Sequence, residues 1–221
     1  MNKRKKGFIL KWLKPFIHDK PIFVKLTNGD ALIIFLLTAI SFIIHLWNFQ
    51  SPSSIIFDEI YFGNFTNFYI HRQFFFDIHP PLAKFLITLF AYLSEYNGNI
   101  SFSSSYNNEY SNVDYISLRI TPIIFSSLIA PIIYLTVRFN SFSKIAAIIS
   151  SSLILFDTSF LCEGRFILTD GILHFFVSLC ICCLSYWLSI DKSNNDGTIM
   201  IYLISFALGC SFSVKYTSLS L

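Results

Sequence analysis

The chain has 221 residues, of which 54% are hydrophobic and only 13% are charged, whereas soluble domains carry about 25% charged residues. Together with a mean hydropathy of +0.60, this composition excludes an ordinary soluble domain and predicts extensive contact with lipid. The formal net charge of +3 is small, and we expect no nucleic-acid partner.

The amino-terminal tail, residues 1–30, is strongly basic. It contains the cations Lys3, Arg4, Lys5, Lys6, Lys11, Lys14, Lys20 and Lys25. Segments on the cytosolic side of a membrane are enriched in Lys and Arg, so we predict a cytosolic tail. The tail lacks the small-residue cleavage site of a secretory signal, and the first membrane span is therefore expected to remain as an anchor.

A helix needs about 20 mainly apolar residues to cross a membrane. The chain offers about five such candidates, at residues 31–50, 116–137, 145–161, 166–190 and 199–218. The third candidate is the shortest, and it contains Asp157. The pattern predicts an all-α, polytopic membrane protein.

Residues 51–115 form the one sizeable segment between predicted spans. This loop contains six acids but only two Lys or Arg residues, Arg72 and Lys84, which predicts a luminal position. Apolar residues recur at helical spacing over residues 82–93. A helix of this length covers about 18 Å and cannot cross a core about 30 Å thick, so we predict that it lies on the membrane surface.

Two adjacent acids, Asp58 and Glu59, lie among aromatic residues near the start of this loop. Side chains of sequence neighbours do not face each other on a helix, and they point to opposite faces of a strand. We therefore interpret one acid as a general base and the other as a positioning group. The alternative is a solvated acid pair that stabilises the start of the next helix through its dipole.

The predicted spans and their ends contain further ionisable residues: His45, Arg119, Asp157, Arg165, Asp170, His174 and Lys215. A charge inside a bilayer is costly and usually faces a partner or a cavity. Snorkelling of the side chain toward the membrane surface or a structural ion pair explains any one of them as well as function does. Several at one depth indicate a polar, partly cationic cavity near the outer leaflet, which could hold an anionic lipid headgroup through a forked arginine contact. The five cysteines lack zinc-site spacing, and no metal site is predicted.

Seven short motifs follow one another along the chain. They are Phe57-Asp58-Glu59, Phe62-Gly63, residues 75–84 (FFDIHPPLAK), Tyr96-Asn97-Gly98-Asn99, Leu118-Arg119, residues 164–173 (GRFILTDGIL) and residues 212–216 (FSVKY). Each motif alone is modest evidence of a relationship. Their order and spacing over roughly residues 30–217 are together highly specific to one family. In this combination the sequence resembles the protein O-mannosyltransferase family.

The resemblance implies a C-type glycosyltransferase fold in the endoplasmic reticulum membrane. It implies transfer of mannose from dolichyl-phosphate mannose to Ser or Thr hydroxyls of secretory proteins, with inversion. Asp58 would be the catalytic base, and Glu59 would shape the acceptor or donor site. Arg119 would stabilise the leaving dolichyl phosphate, Lys215 would be a further phosphate contact, and His79 would shape the site or cap the surface helix. No metal or other cofactor is implied.

Two departures from the family pattern stand out. His45 occupies the place, thirteen residues before Asp58, where many members carry arginine, and a histidine can be neutral near pH 7. The chain is also several times shorter than family members. We interpret residues 31–221 as the amino-terminal part of the glycosyltransferase membrane domain, with 51–115 as its first luminal loop.

Family members commonly work as dimers, so the resemblance also implies a homodimer or a heterodimer with a related O-mannosyltransferase, in contact with membrane lipid. Three alternatives stay open at this point. The chain could be a catalytically inactive fragment or partner subunit of a full-length enzyme. It could be a transporter or channel that uses the intramembrane charges. It could also be a related enzyme that uses another lipid-linked sugar.

Overall fold

The computed structural model describes residues 25–102, 109–110, 114–190 and 195–220. These residues form nine α-helices and one short 3₁₀ helix, Tyr216–Ser220, with no β-strand among them. The helices are α1 Asn28–Leu46, α2 Glu59–Ile70, α3 Leu82–Leu93, α4 Tyr115–Ser127, α5 Ile129–Phe139, α6 Lys144–Leu155, α7 Thr158–Glu163, α8 Asp170–Ser189 and α9 Asn195–Phe212. The predicted all-α class is confirmed. Most of the predicted basic tail lies outside the described residues.

Helix α1 begins and ends a few residues earlier than the predicted span, 31–50. Its start is fixed by a reciprocal cap, in which the Asp30 N–H donates to the Thr27 hydroxyl at 3.4 Å and the Thr27 N–H donates to the Asp30 carboxylate at 2.8 Å. Such a cap satisfies amide groups that a helix start leaves unpaired. The helix ends before Asn48, whose φ of 52° is left-handed. Local capping chemistry, rather than hydropathy, therefore sets the bounds of this helix.

The second predicted span, 116–137, consists of the two helices α4 and α5, which meet at Leu128. Pro131 lies in the first turn of α5 and has no N–H to donate to the carbonyl of Ser127, four residues earlier. This proline explains why the helix is interrupted here. The combined segment Tyr115–Phe139 still has 25 residues and a mean hydropathy of 2.0.

The third predicted span, 145–161, is divided between α6 and α7. The Asp157 carboxylate accepts hydrogen bonds from the N–H groups of Ser159 and Phe160, at 2.9 and 3.1 Å. An aspartate in this position caps the start of a new helix. The segment is therefore two short helices, and not one continuous span.

Three segments are long and apolar enough to cross a membrane: α1, α4 with α5, and α8. Helix α6 and the apolar part of α9, Gly197–Phe212, are shorter. All five predicted segments are helical, in agreement with a multi-pass membrane protein. In the described part of the chain, however, only three of them reach spanning length.

The predicted surface helix is present as α3, which presents its larger apolar side chains outward. Its buried side consists of Ala83, Lys84, Ile87 and Ala91. The exposed residues include Phe85, Leu89 and Leu93. This is the reverse of the usual arrangement in a soluble protein, where the apolar stripe faces the core. The position of α3 on a membrane surface stays a prediction.

The helix ends meet on two sides of the molecule. On the side that we call the tail side, α1 and α6 begin and α5 ends, and both Tyr134 and Arg138 donate hydrogen bonds of 2.8 Å to the buried carboxylate of Asp30. Residues 47–102, 109–110 and 114 lie on the opposite side, which we call the loop side. Helix α8 joins the two sides and packs against α4, α5 and α9. This is the arrangement of a chain that runs back and forth between two surfaces.

The larger hydrophobic core lies on the loop side. It includes Ile55, Phe62, Ile87, Tyr96, Ile100, Phe102, Tyr115, Leu118, Ile167 and Ile172. These side chains come from the loop itself, from α2, α3 and α4, and from the start of α8. The described part of the loop is therefore a packed layer whose position is fixed by the helix bundle.

Gly63 marks the closest approach in this core, and replacing it by alanine is expected to destabilise the protein. A Cβ atom at Gly63 would lie 2.2 Å from a ring carbon of Phe102, and overpacking of this kind costs about 1–3 kcal/mol. Gly209→Ala is the matched control, because no described atom lies within 4 Å of its added Cβ and alanine favours a helix by about 0.5–1 kcal/mol over glycine. Unfolding in mixed micelles would compare the two variants. Equal stability would contradict the packing of Phe102 on α2.

Candidate active site on the loop side

A buried ion pair between Glu59 and Arg119 lies at the centre of the loop side. The Arg119 Nε lies 2.9 Å from Glu59 Oε1, and its Nη2 lies 3.0 Å from Oε2. Both side chains are 0% exposed. Two parallel contacts of this kind give a strong and directional arginine–carboxylate interaction. The pair fixes the first residue of α2 against α4.

Backbone carbonyls accept hydrogen bonds from the remaining N–H groups of the Arg119 guanidinium. Its Nη1 donates to the carbonyls of Phe49 and Pro52 at 3.2 and 3.0 Å, and its Nη2 also donates to Ser54 at 3.3 Å. A guanidinium has five N–H donors, and these bonds, with the two to Glu59, use all five. Arg119 therefore holds the chain that enters the loop, between α1 and α2.

The Glu59 carboxylate also accepts hydrogen bonds from several other groups. Its Oε2 accepts hydrogen bonds from the Ile56 N–H and the Tyr110 hydroxyl, both at 2.9 Å, and its Oε1 accepts one from the Ile167 N–H at 3.0 Å. Burial and the neighbouring Glu59 carboxylate raise the pKa of Tyr110 above its usual value, so this phenol stays a donor. Glu59 thus connects α2 to the loop and to the turn before α8.

We call Glu59 and Arg119 the brace. Since every N–H of Arg119 already has a protein partner in the described structure, none is open to a phosphate. The predicted phosphate contact by Arg119 stays a prediction that this geometry does not favour. Likewise, the buried and saturated carboxylate of Glu59 has the surroundings of a positioning group. A proton acceptor for a substrate would have to lie elsewhere.

Asp58 differs from Glu59 in both its exposure and its side-chain contacts. It is exposed, it precedes the first residue of α2, and its carboxylate makes no capping hydrogen bond. No described residue forms a hydrogen bond or ion pair with this carboxylate. Its backbone is nevertheless fixed, because its carbonyl accepts bonds from the N–H groups of Tyr61 and Phe62 at 2.9 and 3.1 Å. Among the described residues, Asp58 is therefore an unpaired carboxylate on a rigid support, one residue from the brace.

His79 lies in a loop that Lys84 holds in place. The Lys84 ammonium pairs with Asp77 and donates to the His79 carbonyl at 2.7 Å. It also lies 5.1 Å from the ring centroid of Phe65. The His79 side chain is half-buried, and its ring makes no hydrogen bond to the described part of the chain. The structure does not bring the His79 ring into the brace.

Lys215 follows α9 and pairs with Asp170 at the start of α8, at 2.7 Å. Close by in sequence, the Ser213 carbonyl accepts a hydrogen bond of 3.0 Å from the Leu82 N–H, at the start of α3. Lys215 therefore lies near the end of the segment that contains His79. Its predicted phosphate contact stays a prediction.

The other intramembrane charges also occur near the loop side. The Arg165 guanidinium donates to the carbonyl of Trp47, and His174 faces the Glu163 carboxylate at 3.5 Å. His45 bonds within its own helix. Most of these groups make structural contacts, and the predicted polar cavity at one depth stays a prediction. In the described residues no group of three or more His, Cys, Asp or Glu side chains could hold a metal ion.

Sequence reasoning missed two members of this site. Tyr110 lies in a polar stretch rich in Ser and Asn, which gives no signal of a buried phenol. The Ile167 N–H is a backbone group inside the motif 164–173, so the motif marked the segment without showing which atom is used. Both are long-range partners of Glu59, separated from it by 51 and 108 residues.

Loss of the Lys84 ammonium is expected to destabilise the loop far more than loss of the Lys215 ammonium. Lys84 and Asp77 are only 3% and 11% exposed, and breaking a buried pair costs about 3–5 kcal/mol. Lys215 and Asp170 are 19% and 28% exposed, and more open pairs contribute about 0–1 kcal/mol. Lys84→Met and Lys215→Met would be compared by limited proteolysis of the loop. Equal cleavage rates would contradict a structural role for Lys84.

Comparison with known proteins gives consistent matches. Residues 35–220 match the family described as dolichyl-phosphate-mannose-protein mannosyltransferase. The chain is 36% identical over 184 residues to dolichyl-phosphate-mannose–protein mannosyltransferase 4 of Schizosaccharomyces pombe, which covers 82% of this chain and 24% of that protein. It is 32% identical over 189 residues to protein O-mannosyl-transferase 2 of Drosophila melanogaster, covering 81% of this chain and 24% of that protein.

The fold is similar to a solved structure as well. This is the Saccharomyces cerevisiae protein O-mannosyltransferase Pmt1–Pmt2 complex bound to the sugar donor, with a TM-score of 0.80 and 26% identity. The similarity covers 88% of this chain and 27% of that chain. The chain thus spans about a quarter of the length of the relatives it matches.

Proposed function

This chain belongs to the dolichyl-phosphate-mannose–protein mannosyltransferase family, and we propose that it serves the reaction for which those relatives are named. In this reaction mannose passes from dolichyl-phosphate mannose to a Ser or Thr hydroxyl of a secretory protein, with inversion at the sugar carbon. The observation that carries the proposal is the family match over residues 35–220, combined with a free acid, Asp58, beside a buried brace.

The proposed chemistry needs one proton acceptor. The acceptor oxygen forms a bond to mannose C1 while the bond from C1 to the phosphate oxygen breaks, and the electron pair leaves with dolichyl phosphate. The hydroxyl proton passes to the Asp58 carboxylate, which acts as general base. Asp58 is suited to this role because it is open to a substrate and its backbone is fixed. Glu59 and Arg119 act through Asp58, as positioning residues.

The leaving phosphate also needs a positive partner, since negative charge grows on it as the bond breaks. With the Arg119 donors engaged, Lys215 is the better candidate of the two predicted cations. Its ammonium has three donors, one of which contacts Asp170, and it is partly exposed on the loop side. His79 lies in the neighbouring segment and completes the predicted site.

We further propose the endoplasmic reticulum membrane as the location, with the tail side cytosolic and the loop side luminal. The basic residues before α1 and the acids of residues 51–115 support this orientation, because Lys and Arg favour the cytosolic side. The lipid-linked donor and the soluble acceptor would then meet at the luminal surface. The structural relative is a two-protein complex, which supports a heterodimer with a related O-mannosyltransferase.

A transfer assay tests this function. Microsomes containing the chain alone, or the chain with a full-length relative, would receive radiolabelled dolichyl-phosphate mannose and a Ser/Thr-rich peptide. We expect labelled peptide whose mannose is released by alkaline β-elimination, and more of it than from microsomes lacking the chain. Transfer only from a different dolichyl-linked sugar would contradict the donor assignment. No gain over the relative alone would favour the inactive-subunit alternative.

A further inference from the structure

The segment of residues 74–78, Phe-Phe-Phe-Asp-Ile, carries an unusual row of exposed apolar side chains. Phe74 is 95% exposed, Phe76 is 82% exposed and Ile78 is 70% exposed. The two residues between them, Phe75 and Asp77, point the other way, as expected of extended chain in which side chains alternate. Three large apolar groups therefore share one outward side of this segment, and neither the proposed chemistry nor the brace uses them.

The inward side of the segment is firmly held. The Phe75 ring stacks on Phe65 with centroids 4.7 Å apart and meets Tyr69 edge to face at 4.9 Å. Asp77 pairs with the buried Lys84. These contacts fix the backbone on both sides of Phe76, so the outward direction of the three apolar groups is built into the fold.

The position of residues 74–78 is fixed by contacts with the end of α9 and with α3. The Leu82 N–H, four residues after Ile78, donates to the carbonyl of Ser213 at 3.0 Å, and Ser213 directly follows the apolar helix α9. The chain that leaves the segment therefore contacts the chain that leaves α9, an apolar helix. The Tyr69 ring also contacts Phe85 of α3 at 4.7 Å, which places the segment beside the exposed apolar side of α3.

The charges near the segment fit a phospholipid surface. His71 and Arg72, just before the segment, are both exposed. Within residues 71–79, all of which are described, Asp77 is the only acid, and Lys84 neutralises it. Aromatic side chains at the headgroup level with a nearby cation are typical of residues that anchor a protein at the membrane interface. A lipid surface fits these charges and also fits the exposed apolar side of α3, beside which the segment lies.

We propose that residues 74–78 insert the side chains of Phe74, Phe76 and Ile78 into the headgroup–acyl boundary of the leaflet on the loop side. The ligand class is phospholipid, with Arg72 beside the phosphate groups. The insertion holds the loop, and with it the start of α3, at the bilayer surface. If the proposed transfer reaction is correct, this contact keeps the site at the level of the donor phosphate, but the contact itself does not depend on that reaction.

Site-specific photocrosslinking tests the insertion. Benzoylphenylalanine would replace Phe74, Phe76 or, as the matched control, Phe75, in the full chain in microsomal membranes, where lipids and resident proteins are both available. After irradiation, mass spectrometry would identify adducts. We expect phospholipid adducts at positions 74 and 76, several-fold more abundant than at position 75, where crosslinks to the chain's own α2 are expected.

Two outcomes would overturn the proposal. Crosslinks from positions 74 and 76 mainly to polypeptide would show that a protein surface, from this chain or a partner, covers the segment. Absence of phospholipid adducts at both positions, with intact α2 crosslinks at position 75, would show that the segment faces water. Neither readout involves mannose transfer, so failure of the insertion and failure of the proposed reaction can be told apart.

Discussion

Asp58→Asn is expected to lower the rate of mannose transfer by about 10²- to 10⁴-fold, the usual contribution of a general base. Asparagine has nearly the same shape as aspartate but cannot accept the hydroxyl proton. The loss should appear mainly in kcat, because the acceptor loses its base and the brace stays intact. The measurement is transfer from radiolabelled dolichyl-phosphate mannose to peptide, in microsomes that contain equal amounts of each variant.

The stability of this variant should be unchanged. Asp58 is exposed, and no described residue pairs with its side chain, so its replacement removes no internal contact. Glu95→Gln provides the matched control, since Glu95 is also an exposed acid of the loop and has no place in the proposed chemistry. Full transfer by Asp58→Asn, or an equal loss in Glu95→Gln, would contradict the assignment of the base.

Arg119→Lys is expected to reduce the free energy of unfolding by about 3–5 kcal/mol, because breaking a buried pair leaves Glu59 poorly compensated. Lysine keeps the charge, but a single ammonium cannot reproduce the fork that meets Glu59 and three carbonyls. Activity should be lost together with stability. Unfolding in mixed micelles would be followed by circular dichroism.

Arg72→Lys is the control for this prediction, because Arg72 is exposed on the same loop and surface changes usually alter stability by no more than about 0.5 kcal/mol. The competing interpretation, in which Arg119 grips the donor phosphate, predicts a different result. The stability of Arg119→Lys would then match the original chain, and the KM for the donor would rise. That pattern would show that the Arg119 guanidinium opens toward the donor.

Much of the fold follows from local chemistry in the sequence. Long apolar runs predicted where helices occur, and the helical spacing of residues 82–93 predicted α3. The interruptions were not predicted, although their causes are visible in retrospect: Pro131 removes one N–H donor, and Asp157 caps a new helix. Hydropathy measures only how apolar a segment is, so it does not detect single residues that stop a helix.

Less of the candidate site could be predicted from the sequence. Adjacency indicated different roles for Asp58 and Glu59, and the structure places one of them in the open and the other in the core. Nothing local indicated that Arg119 is the partner of Glu59, since 60 residues separate them. The family resemblance implied a phosphate contact for Arg119. An arginine near a membrane surface has the same sequence signal whether its guanidinium faces a ligand or a carboxylate, so the sequence could not distinguish the two.

We expect the buried pair of Glu59 and Arg119 to act as one energetic unit that supports Asp58. A double-mutant cycle tests it most directly, with the free energy of unfolding measured for the original chain, Glu59→Gln, Arg119→Met and the double variant. We predict a coupling energy of about 2–3 kcal/mol, with the double variant much less destabilised than the sum of the two single changes. Additive effects, with a coupling energy near zero, would show that Glu59 and Arg119 stabilise the protein independently and do not form one unit.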